Sequence, residues 1–144
     1  MRLTTLLSAG IFIVTSAFIM KEENDSTTDQ KEPHSLYDTK WSLYKIHSDA
    51  GVTEVSTKAF IKFNEEKKSA GGNGSCNTFG SSTTINNNAI SFKNIFSTKM
   101  YCEDVQQIEN TFLNQLGKVN RFDVKEKQLL LYDKEKILLE FTTE

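Results

Sequence analysis

The chemistry available to this chain rests on two cysteines, an acid on an apolar helix face, a methionine and two histidines. Cys76 lies in the run Gly74-Ser75-Cys76-Asn77, Cys102 ends the run Thr98-Lys99-Met100-Tyr101-Cys102, and Glu109 follows on the next element. An even pair of cysteines in a chain with an export-type start favours a disulfide, stapling the Gly-rich loop to the segment before a helix. Closing a loop of about 25 residues contributes ~3 kcal/mol, mostly by restricting the unfolded chain. The alternative is two buried thiols acting as small hydrophobes. A redox-active pair is disfavoured, because there is no Cys-x-x-Cys spacing and no adjacent cationic cluster to lower a thiol pKa. Met100 and Cys102 with Cys76 offer soft donors of the kind copper(I) prefers, although Met100 reads better as a core filler. The histidines, His34 and His47, number only 2 and rule out an imidazole-rich centre. A triad drawn from a cysteine, His47 and an acid has no spacing that requires its members to meet. There is no Gly-x-Ser-x-Gly, no phosphate-cradling Gly-x-x-x-x-Gly-Lys and no zincin helix. The sequence therefore predicts no catalytic residue, no metal and no cofactor.

Glu109 is the residue whose position demands explanation. Val105, Ile108, Phe112, Leu116 and Val119 recur at helical spacing, with Glu103 and Asp104 in the first turn and Gly117 as a C-terminal stop. At ~100° per residue, Glu109 falls in the same arc as Val105, Phe112 and Leu116. A carboxylate there must find partners or take up a proton, and Thr98, Asn77 and Lys99 are the candidates. Raised by burial, its pKa would suit a general acid or base; the commoner role is a structural acid that ties a helix to neighbouring backbone.

The rest of the domain reads as strands. Trp41 to Ile46 carries large apolar residues at odd positions, and Phe60-Ile61-Lys62-Phe63 is a second strand. Lys67 to Ser82, rich in Gly, Ser and Asn, reads as a loop around Cys76. Ile85 and Ile90 flank Asn86-Asn87-Asn88, a hairpin signal. Phe122 to Val124, Leu129 to Tyr132 and Ile137 to Phe141 complete a β-meander punctuated by one helix.

The chain has 144 residues and a formal net charge of −2, one domain with extra chain at one end and no basic footprint for nucleic acid. Met1-Arg2 and the apolar run Leu6 to Met20 make residues 1–20 a signal peptide, with a small-residue cleavage site near Ala17, or an N-terminal membrane anchor. No cysteine follows that run, so a diacylated start is not supported. Residues 21–39 are polar, acidic and carry the only proline, Pro33, as a disordered spacer would. The folded domain then spans 40–144. Export to a bacterial periplasm or envelope follows, with a membrane tether through the N-terminal segment as one form of it.

Thr98-Lys99-Met100-Tyr101-Cys102, then Glu109, Phe112 and Leu116, then Leu129-Leu130-Leu131 and Leu139-Glu140-Phe141, resemble the META domain family, that of the heat-shock protein HslJ. Trp41 with Leu43, Phe63 and Gly74-Ser75-Cys76-Asn77 resemble the family's opening elements. The motif residues are Asn77, Thr98, Met100, Cys102, Glu109 and Phe112. Two departures stand out: the family's Gly-Cys-Asn is Ser75-Cys76-Asn77 here, and its Gly-x-Tyr is Gly80-Ser81-Ser82. The resemblance implies an α+β, mainly β fold: a small antiparallel, incompletely closed β-barrel or roll with one α-helix packed across it. It brings no established enzymatic activity, and it associates the chain with heat shock and the cell envelope. The favoured function is a non-enzymatic envelope protein that binds a partner protein or a small apolar ligand at the open edge or beside the helix. Phe60, Phe63, Phe79, Phe92 and Phe96, if they face inward, fill the interior and weaken the ligand version. The alternative is a thiol-dependent redox or enzymatic accessory using Cys76, Cys102 and Glu109.

Overall fold

The computed structural model describes residues 35–143. The expected leader, and the spacer as far as residue 34, lie outside the described residues. In chain order the elements are β1 (Trp41–Ser48), β2 (Gly51–Glu54), β3 (Phe60–Asn64), β4 (Ser69–Asn73), β5 (Thr78–Asn86), β6 (Ala89–Ser97), α1 (Gln106–Leu116), β7 (Arg121–Lys125), β8 (Gln128–Asp133) and β9 (Lys136–Thr142). All strand pairings are antiparallel, in the order β2-β1-β3-β4-β5-β6-β7-β8-β9, and β1 also pairs with β9 to bring the sheet round into a ring. Between β6 and β7 the ring is held by the single pair Ala89↔Arg121 and two flanking backbone bonds, Ile90 to Asn120 and Phe122 to Asn88. The expected incompletely closed barrel with one helix across it is what forms.

The helix closes the core because its apolar stripe faces inward. Phe112 and Leu116 are fully buried, with the Phe112 ring edge-on to Phe79 of β5 (5.4 Å) and Phe141 of β9 (6.0 Å). Trp41, Ile61, Leu129, Leu131 and Leu139 fill the space beneath. Gln115, also on the inner face, donates from Nε2 to the His47 carbonyl and ties α1 to β1. α1 starts at Gln106, so Glu103 and Asp104 belong to the turn before it. Gly117 ends it in a right-handed conformation (φ −67°) rather than a left-handed cap, and buried Val119 lies just beyond.

Four sequence expectations need correction. The odd-position alternation of β1 fails after Leu43, because a β-bulge sets both Tyr44 and Lys45 against Glu140 and sends Ile46 inward. The supposed loop from Lys67 to Ser82 is mostly strand: β4 and the first half of β5 pair residue for residue, leaving 67–68, at the end of the β3–β4 turn, and 74–77 outside the strands. Sheet pairing overrides the low strand propensity of Gly and Asn, while Ala70, Phe79, Ser81 and Thr83 supply the buried face. Packing also begins before Trp41, since Leu36 is buried, its carbonyl accepts from Trp41 Nε1, and Tyr37 bridges to Phe63. Lastly, Phe63, Phe79 and Phe92 face the core, but Phe96 is 69% exposed and Phe60 is only partly buried, with Lys40 over its ring.

The glycines of β4 are there for room. A Cβ on Gly72 would lie 2.0 Å from the Phe60 carbonyl oxygen, a backbone atom that can retreat only by parting β3 from β4. Gly72→Ala is therefore expected to destabilise the domain by roughly 3 kcal/mol or more. Gly117→Ala, whose Cβ meets nothing closer than 3.6 Å at a helical φ, should be neutral or stabilising by up to about 1 kcal/mol. Urea denaturation of the two variants checks the contrast; equal effects would show that close strand approach is not the reason for the glycine.

Candidate functional site

Glu109 sits in the first turn of α1, 2% exposed, with its carboxylate against the turn between β4 and β5. Oε2 accepts from the Cys76 N–H (3.0 Å) and the Asn77 N–H (2.6 Å), and Oε1 accepts from Asn77 Nδ2 (2.6 Å). A Cβ on Gly74 would lie 2.7 Å from Oε2, so only glycine lets the carboxylate come this close. Burial pushes the Glu109 carboxyl up, but the Asn77 and Cys76 donors and the charge of Lys99 outweigh it and hold the group below its usual range. The positive end of α1 acts in the same direction. A carboxylate held this way is an ionised anchor, not a general acid.

Asn77 is the other half of the anchor. Besides giving two hydrogen bonds to Glu109, it donates from Nδ2 to the Met100 carbonyl (2.9 Å). Its Oδ1 accepts from Thr98 Oγ1 (2.8 Å) and the Met100 N–H (2.8 Å). One buried amide thus joins the turn, the helix and the segment between β6 and α1. Of the three partners expected for Glu109, Asn77 binds it directly, Thr98 acts through Asn77, and Lys99 contributes charge.

Cys76 and Cys102 form a disulfide, Cα atoms 5.9 Å apart, and the Cys102 carbonyl accepts the Gln106 N–H that opens the helical turn. The bond therefore fastens covalently the same two segments that Asn77 fastens by hydrogen bonds. Both sulfurs are bonded to each other in this disulfide. Met100 is not a core filler: its side chain is 61% exposed and its backbone does the structural work. Ser75, where the family motif has glycine, holds φ +122°, a conformation that favours glycine. A hydrogen bond between its hydroxyl and Thr57 Oγ1 (2.8 Å) and one from its N–H to Asn73 Oδ1 (3.0 Å) hold it there.

Above the anchor lies a cleft of about 460 Å³, with Asn77 and Glu109 at its floor, Lys99, Met100 and Tyr101 on one wall, and Gln106 and Leu113 on the other. Tyr101 is 77% exposed. Phe96 of β6 is also exposed, but its ring lies across Gly80 of β5, outside the lining of the cleft.

The sequence gives no sign of a second polar cluster on the outer face of β1 and β9. Tyr44 Oη donates to Glu140 Oε2 (2.6 Å), and His47 Nε2 lies 2.6 Å from Glu140 Oε1. The hydrogen bond to Glu140 pushes the Tyr44 hydroxyl up to about 12. Burial raises the Glu140 carboxyl, yet Tyr44, His47 and the charge of Lys45 hold it below its usual range. Tyr44 and His47 would face opposite ways on a regular strand, and only the bulge brings them to one acid.

Glu109→Gln keeps the shape but sets an NH₂ against one of the existing donors, and Asn77 has no free valence with which to turn over. The expected loss is about 2–4 kcal/mol at neutral pH. Because the folded-state carboxyl titrates below its ordinary value of 4.5, its contribution is fully present above that value and is lost as pH falls through the folded-state pKa. Urea titrations at about pH 7 and pH 3.5 should show the two proteins converging at the acid end; parallel curves would remove the charge from the account. Cys76→Ala/Cys102→Ala, which opens a sequence separation of 26, should lower stability by about 3 kcal/mol and match the wild type under reducing conditions. The same denaturation assay, run with and without reductant, decides it.

The fold is similar to two structures solved by NMR. One, of a protein from Burkholderia xenovorans, is 22% identical, covers 85% of this chain and 97% of its own, and has a TM-score of 0.61. A second is 21% identical, covers 73% of this chain and 88% of its own, and has a TM-score of 0.55. At these identities the likeness shows the fold alone. No curated protein matches the chain. The family model of the META domain matches residues 34–144, the whole of the barrel, its helix and the anchored turn, and the chain belongs to the META domain family.

Proposed function

We propose that this protein is a non-enzymatic, exported module of the cell envelope that binds a partner protein at the cleft beside α1, in the service of envelope stress. The observation that carries this reading is the contrast within one small region. The Glu109 carboxylate is saturated by three N–H donors and both sulfurs are bonded to each other, while Met100 and Tyr101 on the wall of the same cleft stand 61% and 77% exposed. A rigid, chemically spent floor under an exposed apolar rim suits recognition better than reaction. The disulfide fits an oxidising compartment, and the apolar start of the sequence fits export with or without a retained tether. A partner protein is favoured over a small apolar ligand, because Trp41, Phe112 and Phe141 fill the barrel interior and the cleft has a polar floor.

Site-specific photocrosslinking in cells of the source organism tests the reading. A photoreactive residue in place of Tyr101 in the full-length chain should give a discrete adduct that the same residue at Lys125 does not. Equal labelling at the two positions would sink it. A native mass spectrum of the extracted protein covers the other occupant: extra mass released on denaturation would make it a ligand carrier.

A further inference from the structure

A second cleft, of about 340 Å³, lies between α1 and the turn from β1 to β2, with Ser48, Asp49 and Ala50 on one side and the helix residues from Gln107 to Gln115, then Lys118, on the other. At ~100° per residue these helix positions fall on the flank of α1 opposite the cleft of Met100 and Tyr101, with Asn110 at the border of the two. In a chain with 25% charged residues, the outward face of α1 carries no charge. Its one acid, Glu109, is buried, and the outward positions are Gln106, Gln107, Asn110, Thr111 and Asn114. Asn and Thr are poorer helix formers than the Lys, Glu or Ala that suit a solvated face, so helix stability does not account for them.

Gln115 is the buried member of this lining, 5% exposed. Its Nε2 donates to the carbonyl of His47, the residue before Ser48, which puts the amide at the floor where helix meets strand. Its Oε1 is buried and has no hydrogen-bond partner among the described residues. Turning the amide over does not cure this, because Oε1 would then oppose the His47 carbonyl. A buried acceptor without a donor is a cost that folded proteins seldom carry. On the wall above, Gln106 donates to Asn110 Oδ1 and Gln107 pairs with Thr111, which leaves Asn110 Nδ2 and the whole Asn114 amide without a bond among the described residues. Neutral donors and acceptors thus stand side by side over an orphaned acceptor. Ala50 is the only apolar residue of the lining, so an apolar ligand, or a peptide bringing apolar side chains, finds no contact. Asp49, paired with Lys136 (3.2 Å), and Lys118 bring opposite charges, so no net field draws an ion.

We infer that the cleft between α1 and the β1–β2 turn binds an uncharged saccharide. Each hydroxyl of a sugar both donates and accepts, and two adjacent hydroxyls match one primary amide, which also does both. The Asn114 amide takes such a pair, Asn110 Nδ2 donates to a further oxygen, and a hydroxyl at the floor donates to Gln115 Oε1. That oxygen is closed to solvent, so the last bond forms as the turn at Asp49 and Ala50 moves aside. The inference does not rest on partner binding at Met100 and Tyr101, which uses the other flank of the helix.

The test is a titration of the ¹⁵N-labelled full-length protein with cellotriose, maltotriose and tri-N-acetylchitotriose, each to about 20 mM, read on backbone amides and on the side-chain NH₂ signals of Asn and Gln. At least one trisaccharide should shift, saturably, the NH₂ signals of Asn110, Asn114 and Gln115 and the amides of residues 48–50. Glucose and N-acetylglucosamine form a second arm. Affinity equal to that of the trisaccharide makes a free sugar the ligand, and binding at least about 5-fold weaker makes it a glycan chain. Trigalacturonate, which adds carboxylates, should bind about 10-fold more weakly than the best neutral probe. Asn114→Asp, which keeps the shape and removes the donor, should weaken binding about 5-fold. Gln115→Met, which keeps the volume and removes the floor acceptor, should weaken it about 10-fold. No saturable shift with any of the three trisaccharides, shifts centred on Met100 and Tyr101, or an Asn114→Asp variant that binds as the wild type does overturns the inference. Should Gln115→Met disturb the fold, Asn114→Asp still decides. The Tyr101 adduct in cells judges the partner-binding reading separately, whichever way this titration falls.

Discussion

The ion-to-amide contact between Glu109 and the Cys76-Asn77 turn is the constraint on which the site is built. A helix laid across a barrel by apolar packing alone is free to slide, because hydrophobic contacts are not directional. The carboxylate removes that freedom: it is buried, so it must be fully hydrogen-bonded, and the available donors are two N–H groups of one turn and one side-chain amide. Satisfying it fixes where α1 starts relative to β4 and β5. Phe112 then meets Phe79 and Phe141, and Gln115 meets β1, only with the helix in that position. Asn77 extends the constraint to the Thr98–Met100 segment, and the disulfide backs it with a covalent bond.

This economy has a functional consequence. The residue types that first suggest catalysis are those with no valence left over. Two sulfurs, a carboxylate and an amide are all engaged in holding three segments together, and the exposed groups around them are aromatic, thioether and ammonium. What the anchor produces is a stiff wall for the cleft beside α1. Stiffness there lowers the entropy lost when a partner docks, since Met100 and Tyr101 project from backbone that is already tied down.

Much of the fold is legible in the residue order. The helix shows in the spacing of Ile108, Phe112 and Leu116, and the last three strands in their apolar runs between charged turns. The Asn86-Asn87-Asn88 hairpin shows because Asn87 tolerates the φ of +53° that its turn imposes. β4 and the start of β5 are misread for an equally physical reason. Their glycines look like a flexible loop, yet Gly72 is present because a neighbouring carbonyl leaves no room for a side chain. Closeness of a partner strand is a property of the sheet, and nothing local reports it. The β1 bulge is hidden in the same way, and with it the meeting of Tyr44, His47 and Glu140.

The sequence by itself determined the composition of the anchor: an acid on an apolar helix face needs partners, and two cysteines at this separation can staple a turn to a helix start. Those are consequences of burial and chain entropy, which follow from residue type and spacing. Only the tertiary structure decided that Asn77 would use every valence it has and that Met100 would contribute its backbone and leave its side chain outside. Each of these depends on where one strand lies against another, and strand placement is set by the whole ring of pairings rather than by any segment of the chain.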